Sequence, residues 1–237
     1  MVQSPKNTNV SAMFDRLAPE YDRMNNIISL GTHRHWRRKV MQKIHFSQRD
    51  DILDVATGTA DWALALAASS SRQSRVEGLD FSGEMLAVGQ QKINTSSYKN
   101  KIQLTQGDAM ALPYGDNQFD IVTIGFGLRN LPDPKRGLAE IYRVLKTGGQ
   151  LVILETSQPQ NRFIKPFWQF YIRKIVPNFG RVFANGKHQE YRYLDETTEA
   201  FMDFKALDHL LAQVGFIERK TFSFNLGAAR AYYGIKD

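Results

Sequence analysis

Between Asp50 and Glu155 short β-type runs alternate with helical patterns, and this alternation restricts the chain to βαβ units closing on a parallel sheet. Ile52-Leu53-Asp54-Val55-Ala56 reads as an apolar strand carrying one acid, and the Ala- and Leu-rich stretch from Ala60 to Ala68 as the helix after it. Arg75 to Asp80 predicts a second strand, with Ser82 as N-cap of a helix running to about Ile93 and Glu84 in its first turn. Ile102 to Gln106 and Phe119 to Ile124 predict the third and fourth strands. Asp133-Pro134 opens a helix to Leu145 that Gly148 is expected to close, and Gln150 to Glu155 is the fifth strand. Phe201, Phe204, Leu207, Leu210, Leu211 and Val214 fall at helical spacing, and Phe216–Phe224 and Ala229–Ile235 close the chain as two strands. The 237 residues suffice for a single α/β domain. Within it, 1–49 reads as an N-terminal helical cap, 50–156 as the ligand-binding core, 157–198 as an insertion over the substrate and 199–237 as the closing helix and strands.

In a doubly wound sheet, ligands bind at the carboxyl ends of the strands near the point where strand order reverses. The first strand leads there into Asp54-Val55-Ala56-Thr57-Gly58-Thr59-Ala60-Asp61, a turn of small residues that lets backbone approach a ligand. Neither G-x-G-x-x-G nor G-x-x-x-x-G-K-[ST] occurs, so a pyrophosphate has no evident cradle. What stands at the strand ends instead is a series of acids: Asp54, Asp80 and Asp108. A carboxylate at Asp80 can accept both hydrogen bonds of a ribose diol. Asp108 can accept from an adenine amino group, and the Ala109 N–H can donate to a ring nitrogen. Each acid alone is equally well a turn or helix cap. Together they suit a phosphate-free nucleoside with a cationic centre, and S-adenosyl-L-methionine has those properties.

At these residues the sequence resembles the class I S-adenosylmethionine-dependent methyltransferases, and more closely the C-methyltransferases of menaquinone and ubiquinone biosynthesis. The resemblance runs through Phe14 to Asn25, Leu53 to Asp61, Gly78-Leu79-Asp80-Phe81-Ser82 and Gly107-Asp108-Ala109. Its most specific stretches are Gly125-Phe126-Gly127-Leu128-Arg129-Asn130 and Leu154-Glu155-Thr156-Ser157-Gln158-Pro159. Ala56 and Ala60 depart from the class pattern, which commonly has glycine there. The resemblance implies a Rossmann-like sheet of seven strands with the last antiparallel. It also implies cofactor contacts from Gly58, Thr59, Asp80, Asp108 and Ala109, and a polyprenylated quinol as methyl acceptor. Similarity to the shorter menaquinone members favours demethylmenaquinol over a benzoquinol of ubiquinone biosynthesis.

The chain has no cysteine, which removes thiolate metal sites and every mechanism with a Cys nucleophile. Transfer to a quinol carbon is therefore expected to be direct, driven by quinolate character at the ring oxygen. Arg129, after the fourth strand, is the candidate to stabilise that oxyanion. Asn130 is the candidate to orient a hydroxyl, and Tyr21 to bond the ring or relay a proton. A loop tie by Arg129-Asn130 and simple packing by Tyr21 are the structural alternatives. His33, His35, His45, His188 and His209 lack metal-ligand spacing and read as solvated or packed, with His188 a distant candidate base; no metal is expected.

The net charge is +7, with a basic cluster from Arg34 to Arg49 and a stretch over 161–194 in which Phe163, Phe167, Trp168, Phe170, Tyr171, Phe179 and Phe183 alternate with Arg and Lys. Such a mixture suits a membrane interface or a prenyl-tail channel and also suits RNA, with a cap of core aromatics and a solvated charged face as the structural alternative. The lipid reading gains because the insertion adjoins the loop expected to hold a prenylated ring. An RNA methyltransferase and a non-catalytic cofactor-binding protein are the competing functions; the former lacks [DN]-P-P-[YF] after the fourth strand. The polar start of the chain and the want of a membrane span predict a cytoplasmic protein, at the inner face of the membrane, with no nucleic-acid partner and a homodimer as its expected self-contact.

Overall fold

The chain folds around seven strands in the order β3-β2-β1-β4-β5-β7-β6, and that order sets where a ligand can bind. The structure is a computed structural model that describes residues 5–171, 197 and 201–237. Three helices come first: α1 (Pro5–Leu17), α2 (Tyr21–Ile28) and α3 (Thr32–Met41). The alternation follows as β1 (Asp51–Val55), α4 (Asp61–Ser69), β2 (Arg75–Asp80), α5 (Gly83–Asn94), β3 (Ile102–Gln106), β4 (Phe119–Gly125), α6 (Pro134–Val144) and β5 (Leu145–Thr156). Then come α7 (Ile164–Phe170), α8 (Phe204–Val214), β6 (Phe216–Phe224) and β7 (Ala229–Lys236).

β1 to β5 run parallel, whereas β7 is antiparallel to both β5 and β6. β1 and β4 are buried almost throughout, as strands covered on both faces must be. One apolar cluster, with Leu53, Val122, Leu138 and Leu211, fills one face; a second, with Ile52, Leu66, Ile121 and Val152, fills the other. β6 forms the edge, and its exposed Glu218-Arg219-Lys220 run blunts it against pairing with another chain. Because β2 and β3 lie on one side of β1 and β4 on the other, strand order reverses between β1 and β4. A crevice opens at their carboxyl ends.

The caps are those the sequence predicts. Ser82 accepts from the Met85 N–H, and Asp133 from the Arg136 N–H. The end of α6 differs. Leu145 is already in β5, paired with Phe119, and the strand absorbs an irregularity before Gln150 pairs with Ile121. Gly148, at φ +76, makes that turn inside β5 and does not close the helix. The N-terminal helices pack on α5 through Met13, Leu17, Met24 and Met85, and Ser82 donates to Asp15 at 2.5 Å. Phe179, Phe183, His188 and the rest of the 172–196 stretch lie outside the described residues.

Candidate functional site

The loop after β1 bends tightly enough to need left-handed backbone at Ala56 (φ +55), Gly58 (φ +56) and Ala60 (φ +61). Only Gly58 takes that conformation without cost, so the two alanines hold the turn under mild strain. Asp80, at the end of β2, braces the loop: its Oδ2 accepts from the Gly58 N–H at 2.7 Å and its Oδ1 from the Ser82 N–H at 2.9 Å. The Phe81 N–H also acts on this carboxylate, so only part of its accepting capacity is left free. Burial pushes the Asp80 carboxyl up, opposed by these backbone donors. Asp108 accepts from the Met110 N–H at 2.8 Å, which fixes the turn carrying Ala109.

Gly58, Asp80, Asp108 and Ala109 line one cavity together with Tyr21, Phe81, Met110, Phe126 and Asn130. Its charged lining among the described residues consists of Asp80 and Asp108 alone. Asp54 does not join them. It lines neither cavity of the crevice, lies wholly buried beneath the loop and accepts from the Thr123 hydroxyl at 2.6 Å. Burial pushes its carboxyl up to about 7. Its expected direct contact with a ligand gives way to a place under the loop, because β1 carries it inward between its parallel neighbours.

A second cavity adjoins the first and shares Tyr21, Ala56, Gly58, Gly125 and Phe126 as a common wall. Two glycines make that wall thin. A Cβ at Gly125 would stand 2.3 Å from Trp62 Nε1, and one at Gly127 2.5 Å from the Ala56 methyl. Thr59, Asp61, Trp62, His33, Trp36, Arg37, Arg129, Trp168 and Tyr171 line this second space. At its polar end Lys92 Nζ reaches Asp61 at 2.5 Å, Asp22 at 2.7 Å and Thr59 Oγ1 at 3.1 Å, while Arg37 pairs with Asp61 at 3.0 Å. Thr59 in turn donates to Asp22 at 2.6 Å. Arg37 is therefore inside the site, and not part of a solvated basic face as its neighbours in sequence suggest.

Arg129 is ion-paired within the fold. Its Nη1 is paired with Glu155, and their side chains are 6% and 1% exposed. A guanidinium in so dry a place needs a carboxylate, and Glu155 at the end of β5 supplies it. Three buried N–H groups around the second cavity have no hydrogen-bond partner among the described residues: Arg129 Nε, Trp36 Nε1 and Trp62 Nε1. All three can only donate. Asn130 donates to the Phe126 carbonyl at 3.2 Å and so fastens its own loop. Tyr21 stacks edge-on against Phe14, takes a hydrogen bond from Asn25, and is pushed up in pKa by burial, which keeps its hydroxyl protonated.

Known proteins resemble this chain over nearly its whole length. The model of the ubiE/COQ5 methyltransferase family matches residues 2–236. The chain belongs to that family. It is 52% identical to a demethylmenaquinone methyltransferase of Lactiplantibacillus plantarum, across 97% of this chain and 96% of that one. It is 47% identical to the enzyme of the same name from Lactobacillus johnsonii, across 96% and 92%. A solved SAM-dependent methyltransferase of Aquifex aeolicus shares the fold at a TM-score of 0.62 and 17% identity, over 85% of this chain and 89% of that one.

For a ubiE/COQ5 methyltransferase the first cavity fits its methyl donor. Acids without a facing Lys or Arg suit a phosphate-free cationic nucleoside such as S-adenosyl-L-methionine. The site also contains residues that motif reading passed over. Trp36, Arg37, Trp62 and Lys92 carry no spacing signal, since α3, α4 and α5 meet only in the fold. His33 was expected to be solvated or packed, yet it lines the second cavity. Its one legible trace was its position four residues after Ser29, the periodicity of one helix face.

Proposed function

We propose that this chain transfers a methyl group from S-adenosyl-L-methionine to a ring carbon of a polyprenylated quinol, with demethylmenaquinol as the acceptor and menaquinol as the product. One observation carries the reading: a phosphate-free nucleoside cavity and an aromatic cavity meet across a thin wall of Ala56, Gly58, Gly125 and Phe126. Relatives at 52% and 47% identity, aligned over nearly their whole length, carry the name of that activity.

Asp80 takes the ribose diol on its remaining lone pairs, and Asp108 with the Ala109 N–H takes the adenine edge. Gly58 lets the loop backbone approach. Thr59, held between Asp22 and Lys92, sits with Arg37 and Asp61 where an amino-acid tail has both charges answered. Bound there, S-adenosyl-L-methionine supplies an electrophilic methyl group on a sulfonium. The chain's part is to raise electron density on the acceptor carbon and to hold it in line; orientation alone is worth roughly 7–11 kcal/mol in such reactions. Arg129 acts with its unpartnered Nε–H on the quinol oxygen, while Glu155 fixes the guanidinium from behind. Asn130 holds the Arg129 loop, and the protonated Tyr21 hydroxyl lies at the wall between donor and acceptor.

The prenyl tail leaves past α7. Trp168 and Tyr171 line the acceptor cavity, whereas Phe163, Phe167 and Phe170 are 68%, 78% and 61% exposed. A helix apolar on its outer face beside a lipid-substrate cavity supports a peripheral membrane contact at that point. Among the described residues no helix is long and apolar enough to cross a membrane.

The test is an assay of the purified chain with methyl-labelled S-adenosyl-L-methionine and a reduced short-chain demethylmenaquinone, with a benzoquinol and RNA as parallel acceptors. Label on the naphthoquinol carbon supports the proposal. Label on RNA alone, or on the benzoquinol alone, overturns it.

A further inference from the structure

A quinol carbon becomes nucleophilic as its hydroxyl loses a proton, and a base is needed where the ring binds. Among the described titratable groups lining the acceptor cavity, most are already committed. Asp22 and Asp61 are held by Lys92 and Arg37, Arg37 and Arg129 have no lone pair to offer, Tyr21 remains protonated, and Tyr171, also pushed up in pKa by burial, donates its hydroxyl to the Ile28 carbonyl at 2.9 Å. His33 remains.

Its ring is oriented by a ladder of residues spaced four apart, Tyr21, Asn25, Ser29 and His33, all on the wall of the same cavity. Asn25 bonds the Tyr21 hydroxyl through its side chain, and its carbonyl accepts from Ser29 Oγ at 2.6 Å. Ser29 Oγ also lies 2.6 Å from His33 Nδ1. A serine hydroxyl has a single hydrogen. Were that hydrogen turned to Nδ1, Ser29 Oγ would face the Asn25 carbonyl lone pair to lone pair at 2.6 Å. The hydrogen therefore belongs to the Asn25 bond, and His33 Nδ1 must be the donor to Ser29. In the neutral ring the proton then sits on Nδ1 and the lone pair on Nε2, which has no partner among the described residues.

We infer that His33 is the general base of the reaction, taking the quinol hydroxyl proton on Nε2; this rests on the acceptor being a quinol, as proposed above. The O–H bond breaks, an N–H bond forms at Nε2, and the oxygen's electron pair is delocalised onto the ring carbon, which bonds to the methyl carbon as its C–S bond to the sulfonium breaks and neutral S-adenosylhomocysteine leaves. When the hydrogen on that carbon leaves as a proton to water, the ring regains aromaticity and the oxygen recovers its proton from Nε2. One proton is released per turnover.

The environment keeps the ring neutral. Burial and the neighbouring Arg37 and Arg34 lower the His33 pKa, against the opposing pull of Asp61 and Asp22. His33 thus stays in its accepting form down to below the usual imidazole range.

The test compares H33N with the wild-type chain. Asn keeps a nitrogen donor near Ser29 and removes Nε2. We expect kcat with the reduced naphthoquinone to fall by about 100-fold or more, and the acid limb of kcat/KM against pH to vanish. The Kd for S-adenosylhomocysteine, read by calorimetry, should stay within about twofold. Ring 15N shifts of wild-type His33 at pH 8, which need no turnover, should report a protonated Nδ1 and a bare Nε2. Turnover of H33N within about fivefold of wild type with the acid limb intact overturns the inference, as does an Nε2-protonated ring. Should H33N lose S-adenosylhomocysteine binding, imidazole rescue of H33A decides: recovered turnover supports the base, and none, with binding intact, overturns it. Wild-type chain inert on the naphthoquinol but with the expected tautomer would count against the acceptor and not against the geometry at His33.

Discussion

Glu155 and Arg129 depend on each other more than either depends on solvent. Both are buried, and removing the carboxylate leaves a guanidinium without its counter-charge, a change that typically costs about 3–5 kcal/mol. Glu155→Ala should therefore lower the urea midpoint sharply. Arg129→Ala should lower kcat by about 10²–10³-fold, the range for losing an oxyanion donor, with the S-adenosylhomocysteine Kd little changed. Wild-type turnover in Arg129→Ala would remove Arg129 from the acceptor site. Asp54 makes a different prediction. Its carboxyl is raised to about 7 in the fold, so the folded chain holds that proton better than the unfolded one does. Stability then falls as pH rises from the ordinary carboxylate range through about 7, and the full loss is present above it. Asp54→Asn stays neutral throughout, so its advantage in Tm over wild type should widen between pH 5 and pH 8.

Among the elements, the wall between the cavities is the least tolerant. Gly125→Ala would place a methyl 2.3 Å from the Trp62 indole nitrogen, and the ring must leave the wall to make room. We expect turnover to collapse while the sheet survives, measured as kcat beside far-ultraviolet circular dichroism. At α7 and its N-cap, Phe167→Ser with Phe163→Ser should weaken binding to anionic vesicles and raise KM for a long-tailed quinol, while KM for a short-chain analogue stays put. The elements were legible in sequence to different depths. β1 to β4 and the Ser82 and Asp133 caps follow from apolar runs and capping chemistry and stand where expected. The start of β5 was not legible, because Leu145 to Gly149 has the composition of a helix end, and only pairing with β4 makes it strand. Asp80, Asp108 and Ala109 were legible because strand ends advertise themselves. His33, Arg37 and Lys92 were not, because their meeting depends on α3, α4 and α5 converging in three dimensions.

For the whole molecule, the order β3-β2-β1-β4-β5-β7-β6 puts the switch point at the centre of the sheet, and the N-terminal helices complete the site over it. Asp22, Arg37, Asp61 and Lys92 tie α2 and α3 to α4 and α5 through charges at the polar end of the acceptor cavity. A ligand bridging those charges stabilises the assembly by mass action. At 100 times its Kd, S-adenosyl-L-methionine should raise Tm by about 5–10 °C, and Lys92→Ala should shrink that rise. The absence of cysteine has its meaning at this scale too, since direct transfer between the two cavities needs no covalent enzyme adduct. The measurement that bears on this most directly is transfer of a 13C-methyl group from S-adenosyl-L-methionine to reduced demethylmenaquinone, read by mass spectrometry and carbon NMR of the product. One labelled methyl is expected on the vacant ring carbon beside the prenyl chain; label on a quinol oxygen, or none on the quinol under conditions where the chain binds S-adenosylhomocysteine, would rule out direct transfer to that carbon.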